Sequence, residues 1–221
     1  MKRKIELCMT LLLLVGMIVV SKKLSQLVIS EEVQAQKQVV VIDAGHGGYD
    51  PGKIGVNKAL EKDINLQISE KIKRYLEESG IEVVMTREKD IMEETKLTDM
   101  QKRVSLINKT KPVIAVSIHQ NSYSDSSVTG AQVFYYKGSE VGKEAAILMQ
   151  EELKKLNSEN VREIKENNNF YMLKKTKVPT IIVECGFLSN AQEAEKLVSE
   201  EYQEVLAETI SGGIIKWLEQ K

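Results

Sequence analysis

Short apolar runs alternate with amphipathic segments along most of this chain, and the alternation limits its possible folds more than any other feature. Strands are predicted at 38–43, 81–86, 113–118, 131–136 and 180–183. Helices are predicted at 62–79, 98–108, 141–156, 191–199 and 202–218. The stretch 161–174 contains three consecutive asparagines and is predicted to be a loop with a short strand. This order predicts an α/β layered fold with a mainly parallel central sheet.

The length and charge of the chain suit one globular domain of moderate size. Of 221 residues, 38–221 carry the alternating pattern, which is enough for one domain with a substantial core. The first 30 residues hold five basic groups and one acid, and the remainder holds 26 basic and 31 acidic groups. The predicted domain is therefore acidic, and we expect no nucleic-acid partner.

The first 23 residues have the pattern of an export segment. MKRK precedes the 14-residue run LCMTLLLLVGMIVV, and SKK follows it. A helix of 14 residues rises roughly 21 Å, which is short of the ~30 Å hydrocarbon core of a membrane. Residues 1–23 are therefore predicted to be a signal peptide or an uncleaved signal-anchor. The uncleaved form is favoured because no small-residue cleavage site follows closely. Residues 24–37 are a predicted linker, and the domain is expected outside the cytoplasm.

Polar groups follow three of the predicted strands. The chain has only two histidines: His46 follows the strand VVVID in a glycine turn, and His119 follows PVIAVS. Glu184 follows TIIV, and Glu61 opens the helix after the first strand. Parallel strands bring such endings to one edge of the sheet, where open α/β sheets bind ligands. Two imidazoles and one carboxylate suit zinc with a fourth position open to water, and Glu184 is left to act as a base.

Each of these residues also has an ordinary structural interpretation. His46 could line an anion-binding glycine turn, and His119 could simply bond a neighbouring loop. Glu61 could stabilise the helix dipole, and Asp63 competes with it as the third ligand. Glu184 follows three apolar residues, where an unpaired charge is costly. The four residues together favour a metal site more strongly than any one of them does.

The resemblance becomes specific when the motifs are taken in order. DAGHGGYDPG, ALEKDINL, MTREKD, SIHQNS, GAQVFYY and VECGFLSN resemble the successive signatures of zinc-dependent N-acetylmuramoyl-L-alanine amidases, which trim bacterial cell wall. The resemblance implies a twisted sheet of about six strands, with one Zn²⁺ per chain. It implies His46, Glu61 and His119 as zinc ligands and Glu184 as the catalytic residue. Asn121, Arg87 and Arg103 match positions that we expect to bind substrate.

The resemblance also implies a substrate and a setting. The substrate would be peptidoglycan, cut between the lactyl group of N-acetylmuramic acid and L-alanine. A short domain behind a membrane anchor most resembles the spore-cortex, germination-specific branch, which prepares muramic-δ-lactam. We expect the protein at the outer face of the membrane or secreted, in cell wall or spore cortex. Because a three-ligand site on a small open domain binds metal weakly, an accessory protein that aids zinc binding is a further expectation.

Two alternatives remain at the level of sequence. One is a non-catalytic peptidoglycan-binding module in which the metal is structural, which would require four protein ligands. The other is a cysteine hydrolase using Cys185 with His119. The adjacent Glu184 argues against the second, because a neighbouring carboxylate raises the pKa of a thiol.

Overall fold

The computed structural model describes residues 9, 16–23, 38–90, 95–157 and 159–221. Residues 38–221 form one compact unit. Residues 16–23 are helical, but most of the predicted export segment 1–23 and all of the predicted linker 24–37 lie outside the described residues. Within the described ranges, no helix is both long enough and apolar enough to cross a bilayer.

A six-stranded sheet forms the centre of this unit. Its strands are β1 (Val39–Ala44), β2 (Glu82–Met85), β3 (Ile114–Asn121), β4 (Gln132–Tyr136), β5 (Lys165–Asn167) and β6 (Thr180–Phe187). They lie in the order β2-β1-β3-β6-β4-β5. The first four in this order are mutually parallel, whereas β4 runs antiparallel to β6 and β5 runs parallel to β4. The prediction of an α/β fold with a mainly parallel central sheet is confirmed.

Helices cover both faces of the sheet. They are α1 (Glu61–Glu78), α2 (Lys96–Thr110), α3 (Glu140–Leu156), α4 (Tyr171–Lys175), α5 (Ala191–Leu197) and α6 (Glu200–Leu218). α1, α3 and α6 bury their apolar stripes in one large core with alternate residues of the strands. α2 and α4 form smaller apolar clusters with the strand residues that point to the other face, such as Val41 and Ala115. Alternation along a strand therefore assigns each side chain to one of two faces.

The predicted site residues of β3 and β6 lie on the face covered by α2 and α4. Ile118 and Val183 lie in the large core on the opposite face. His119 and Glu184, one residue further along their strands, lie beside each other in the β3–β6 pairing. The alternation of side chains points both of them toward α2 and α4, where they line a common cleft.

The structure corrects the predicted elements at three places. β3 and β6 do not end at 118 and 183 but continue to Asn121 and Phe187, because ladder pairing persists past the first polar residue. His119 and Glu184 are therefore strand residues. In the predicted loop 161–174, the short strand is present, but the helix α4 was missed. Five residues are too few to show helical periodicity, although Met172 and Leu173 are buried.

Candidate active site at the strand ends

Two imidazoles and a carboxylate converge at the carboxyl ends of β1 and β3. Glu61 Oε1 lies 3.2 Å from His46 Nε2 and 3.0 Å from His119 Nδ1. The two rings are 5.0 Å apart, with their planes at 79°. One potential ligand atom from each of these three side chains lies within 4.8 Å of the other two. The structure thus brings together the three residues predicted as zinc ligands.

Glu61 is fixed by the backbone around it. It is the first residue of α1 and is only 4% exposed. Its Oε2 accepts a hydrogen bond from Lys53 N at 2.7 Å, and Oε1 accepts one from Gln120 N at 3.1 Å. Burial alone would raise the pKa of this carboxyl, but the contacts with His119 and His46 outweigh burial and lower it. Glu61 is therefore a carboxylate aimed at both imidazoles.

Asp63, the competing candidate for third ligand, lies elsewhere. It occupies the first turn of α1 but is exposed to solvent. Two residues correspond to about 200° of rotation around a helix, so Asp63 faces away when Glu61 faces inward. The geometry agrees with the choice of Glu61 over Asp63.

The turn that carries His46 adopts a constrained conformation. His46 itself has φ 62°, and Gly47 and Gly48 also have positive φ. For a residue with a Cβ, this conformation costs about 1–3 kcal/mol and persists only where the surroundings impose it. Gly47 and Asp50 then close the turn with a reciprocal pair of backbone hydrogen bonds at 3.0 Å.

The position before His46 has no room for a side chain, which explains the glycine at 45. A Cβ at this position would overlap the imidazole ring of His119. Gly52 has a similar role, because a Cβ there would lie 2.5 Å from Glu61 Oε2 and 2.7 Å from His46 Cδ2. The structure shows that Gly45 and Gly52 make room for the other predicted ligands.

Arg87 and Arg103 donate hydrogen bonds to the backbone carbonyls of the same turn. Arg87 donates to Ala44 O at 2.8 Å and to Gly45 O at 3.1 Å. Arg103 donates to Ala44 O at 2.7 Å and also to His46 O. Both side chains are buried. Their predicted role in substrate binding stays a prediction, and the observed contacts fit a role in positioning His46.

Asp43 supplies the charge that balances Arg103. Its carboxylate, 1% exposed, accepts hydrogen bonds from Ser117 Oγ at 2.5 Å and Thr86 Oγ1 at 2.6 Å, and lies 3.4 Å from Arg103 Nη1. Burial alone would raise the pKa of Asp43, but Arg103 and the two hydroxyl groups outweigh burial and lower it. Asp43 thus remains ionised beneath the site.

Asp50 supports His46 from the opposite side. Its Oδ2 lies 2.8 Å from His46 Nδ1 and 2.7 Å from Lys96 Nζ. A carboxylate on the second ring nitrogen fixes the tautomer and leaves the other nitrogen, Nε2, free to bind a metal. Sequence reasoning missed Asp50 because Asp-Pro-Gly is an ordinary turn sequence. The available signal was an acid four residues after His46, within reach of its ring.

Glu184 lies beside the three converging side chains but is bonded differently. Its Oε2 is buried without a hydrogen-bond partner in the structure. Burial raises the pKa of this carboxyl to about 7, and Glu61 adds to the effect, while His119 and His46 oppose it. A carboxyl group whose pKa lies near neutrality can accept and donate a proton during catalysis.

An open cleft gives solvent and ligands access to these groups. Its volume is about 360 Å³, and it is bordered by Glu184, His46 and His119 on one side. Met100, Phe170 and Met172 form the apolar side. The cleft therefore combines a small polar cluster with an apolar wall, as substrate sites do.

Cys185 and Asn121 do not lie in this cleft. Cys185 is buried in the large core on the other face of β6, and burial, with Glu184 adding, raises the pKa of its thiol. This placement contradicts the cysteine-hydrolase hypothesis, because a nucleophilic thiolate needs access and a lowered pKa. Asn121 ends β3, accepts from Ser122 N at 2.7 Å and lines a neighbouring cavity. Its predicted substrate contact stays a prediction.

The donor set fits a zinc ion on chemical grounds. Neutral imidazole nitrogens and a carboxylate oxygen are zinc ligands, and three of them from protein are typical of catalytic sites. Asp50 on His46 and the backbone donors on Glu61 provide the outer contacts that such ligands require. Beside these ligands, Oε2 of Glu184 is buried and has no hydrogen-bond partner in the described protein.

Fold and site together define a class, an α/β enzyme whose polar site lies at the carboxyl ends of parallel strands. A family model described as N-acetylmuramoyl-L-alanine amidase matches residues 40–216. The chain belongs to this family, and its activity is that of an N-acetylmuramoyl-L-alanine amidase.

The similar proteins include relatives known by sequence and solved structures. The germination-specific N-acetylmuramoyl-L-alanine amidase of Bacillus subtilis (strain 168) is 34% identical over 193 residues, covering 83% of this chain and 81% of that protein. The CwlD amidase of Clostridioides difficile, solved in complex with the GerS lipoprotein, is 39% identical with a TM-score of 0.79, covering 83% of this chain and 100% of that one. The catalytic domain of CwlV from Bacillus (Paenibacillus) polymyxa var. colistinus is 33% identical with a TM-score of 0.75, covering 83% and 99%.

The packing of Gly45 against His119 generates a first prediction. Gly45→Ala should displace the imidazole, weaken binding of a divalent metal by roughly 10–100-fold and lower the melting temperature, because the added Cβ overlaps the ring. Gly212→Ala is the matched control: apart from the backbone of its own helix and its chain neighbours, no described atom lies within 4 Å of the added methyl, and alanine favours the helix by up to about 1 kcal/mol. Isothermal titration and thermal unfolding measure both effects. Wild-type metal affinity in Gly45→Ala would contradict the packing.

The raised pKa of Glu184 leads to a second prediction, which concerns the stability of the protein at different pH values. In metal-free protein, the folded state keeps this proton up to about pH 7, whereas an unfolded glutamate loses it near 4.5. Between these values the folded state binds more protons, so stability falls as pH rises. Glu184→Gln removes this cost and should be more stable than wild type by up to about 3 kcal/mol at pH 8.

Urea unfolding of both metal-free proteins at pH 4 and pH 8 tests this pH dependence. The measurement at pH 4 is the internal control, because Glu184 is mostly protonated in both the folded and the unfolded state there. A difference in stability between the two proteins that does not change with pH would show that Glu184 is not held protonated by its surroundings.

Proposed function

We propose that this protein is a zinc-dependent amidase that cuts the bond between the lactyl group of N-acetylmuramic acid and L-alanine in spore-cortex peptidoglycan. The observation that carries the proposal is the convergence of His46, Glu61 and His119 within 4.8 Å, with the unpartnered carboxylate of Glu184 in the same cleft. His46, Glu61 and His119 would hold one Zn²⁺. When bound, zinc activates water and polarises a carbonyl group.

Glu184 acts as the proton carrier in this proposal. As a carboxylate, it takes a proton from the attacking water through Oε2, which has no competing hydrogen bond. As the carboxylic acid, it gives that proton to the nitrogen of L-alanine, so that the amine leaves neutral. Met100, Phe170 and Met172 form an apolar wall beside the site of both transfers.

Two features of the site support catalysis over a purely structural metal. A structural zinc needs four protein ligands, and the described donors that converge here come from three residues. The site also opens into a cleft of about 360 Å³, whereas a structural clip is closed. A peptidoglycan-binding module without activity is therefore the less favoured hypothesis.

The spore-cortex role is supported by the relatives. One similar protein is a germination-specific amidase, and another is CwlD, which was solved with the GerS lipoprotein. By analogy we propose that cleavage here is a step toward muramic-δ-lactam and that an accessory protein aids zinc binding. The proposal includes export by residues 1–23, as a signal peptide or membrane anchor, and a linker at 24–37 before the catalytic domain at 38–221.

The ligand assignment predicts one zinc per chain. His46→Ala, His119→Ala and Glu61→Ala should each lose the metal and the activity, because each removes one of three ligands. Asp63→Ala is the matched control, an acid on the same helical turn that faces solvent. Elemental analysis of the full-length chain after dialysis measures zinc content. Full zinc occupancy in any of the three variants removes that residue from the ligand set.

The proton-carrier assignment predicts that Glu184→Gln keeps zinc and fold but loses turnover. Glutamine preserves size and hydrogen bonding but does not accept the proton of water, so the rate should fall roughly 10²–10⁴-fold. Cys185→Ser, the neighbouring residue on the opposite face, is the control and should keep most activity. Mass spectrometry of digested peptidoglycan measures stem-peptide release. Activity of zinc-loaded Glu184→Gln within a few-fold of wild type would refute this mechanism.

A further inference from the structure

A second cavity of about 380 Å³ adjoins the proposed catalytic cleft. In the β4–β6 ladder, Gln132 lies opposite Glu184, and Phe134 lies opposite Ile182. Directly opposed residues of paired strands share one face of the sheet. Gln132 and Phe134 line the second cavity, whereas Glu184 and Ile182 line the catalytic cleft. The two cavities therefore lie side by side on this face of the sheet, along β4 and β6, and together they are called the groove below.

Two cationic side chains line the far part of this groove. The guanidinium of Arg162 lies 4.7 Å above the ring of Phe187, and its Nε donates to Thr129 O at 3.0 Å. Lys165 lies in β5 beside Phe134 and is exposed to solvent. Arg162 is thus held in place by its neighbours, while Lys165 is free to reach into the groove.

The acidic residues nearest in sequence do not neutralise these cations. Glu163 pairs with Lys154 at 2.6 Å, and Glu166 pairs with Lys137 at 3.3 Å. Across the described ranges, neither Arg162 nor Lys165 has a carboxylate within ion-pair distance. The cavity therefore has a net positive lining, although the chain as a whole carries a net charge of −1.

We propose that this cavity binds carboxylate groups of the stem peptide, on the leaving-group side of the scissile amide. The inference rests on the proposed function, which makes the substrate a sugar joined through an amide to a peptide. The glycan side presents hydroxyl and acetamide groups, and its lactyl carboxyl is consumed in the amide. Free carboxylates belong to the peptide side, so a cationic pocket next to Glu184 fixes which end of the substrate lies there.

The dimensions agree with recognition beyond the first amino acid. Lys165 lies two strands from β6 and two residues along from the Glu184 row, roughly 12 Å between Cα atoms. An extended peptide covers about 3.3 Å per residue, and the lysine side chain spans about half of that distance. Lys165 therefore reaches a carboxylate about two or three residues beyond the cut.

Selectivity between two matched substrates tests the proposal. One is a muramoyl peptide with free stem carboxylates, and the other is the same molecule with those carboxylates amidated. The preference is measured as kcat/KM for the substrate with free carboxylates divided by kcat/KM for the amidated substrate. This ratio should fall about fivefold in Lys165→Gln and further in Arg162→Gln/Lys165→Gln. Lys165→Glu should reverse the preference. Lys109→Gln, which removes an exposed charge from α2 outside the groove, should keep the wild-type ratio.

A binding measurement separates failure of this proposal from failure of the proposed function. Isothermal titration of full-length protein uses the free stem peptide beginning with L-alanine and its fully amidated counterpart. Tighter binding of the acidic peptide, lost in the double variant, supports the site even if no peptide is released from either substrate. Equal binding of the two peptides, or binding unchanged by both substitutions, overturns it.

Discussion

Hydrogen bonds from two buried guanidinium groups hold the turn that carries His46, and the rest of the site depends on that turn. Arg87 and Arg103 donate to the carbonyls of residues 44, 45 and 46, immediately before and at the residue with φ 62°. A left-handed histidine returns to ordinary backbone geometry unless its surroundings oppose it. On this fixed backbone, the imidazole lies between Asp50 and Glu61.

This arrangement has a large electrostatic cost that the sequence offsets locally. Two buried cations repel, and burial together with Arg103 lowers the pKa of Arg87. Asp43 lies beneath them as a buried carboxylate, and Asp99 contacts Arg103 Nη2 at 2.6 Å. Removing one member of such a network leaves an uncompensated buried charge, which costs about 3–5 kcal/mol. The single acid inside the apolar run of β1 is explained by this requirement.

The sequence was sufficient for those parts of the site that follow from strand direction and helix phase. His119 and Glu184 follow apolar residues of parallel strands, so their proximity could be predicted before any contact was known. Glu61 could be preferred to Asp63 because two residues on a helix point in nearly opposite directions. These inferences use only local periodicity and one rule about the edges of α/β sheets.

The remaining parts depend on contacts between distant segments. Asp50 reaches His46 only because the intervening glycines adopt positive φ, and Lys96 reaches Asp50 from another element. The role of Gly45 depends on a ring 74 positions further along the chain, and the helix α4 forms because Met172 and Leu173 find buried places against the sheet. Periodicity carries no information about such contacts, since each is decided by how the loops and layers pack.

Glu184 is retained in the fold although its burial lowers the stability of the folded protein. Placing a carboxylate without a partner in a buried position opposes folding at neutral pH, and a glutamine or apolar residue there would avoid the cost. Positions that violate local rules of stability are expected at functional sites. Here the violation has a definite geometry: Glu184 is paired in register with His119 on one side and with Gln132 on the other. The row that joins His119, Glu184 and Gln132 crosses two β-ladders, and it places the proposed proton carrier between a proposed metal ligand and a residue that lines the second cavity.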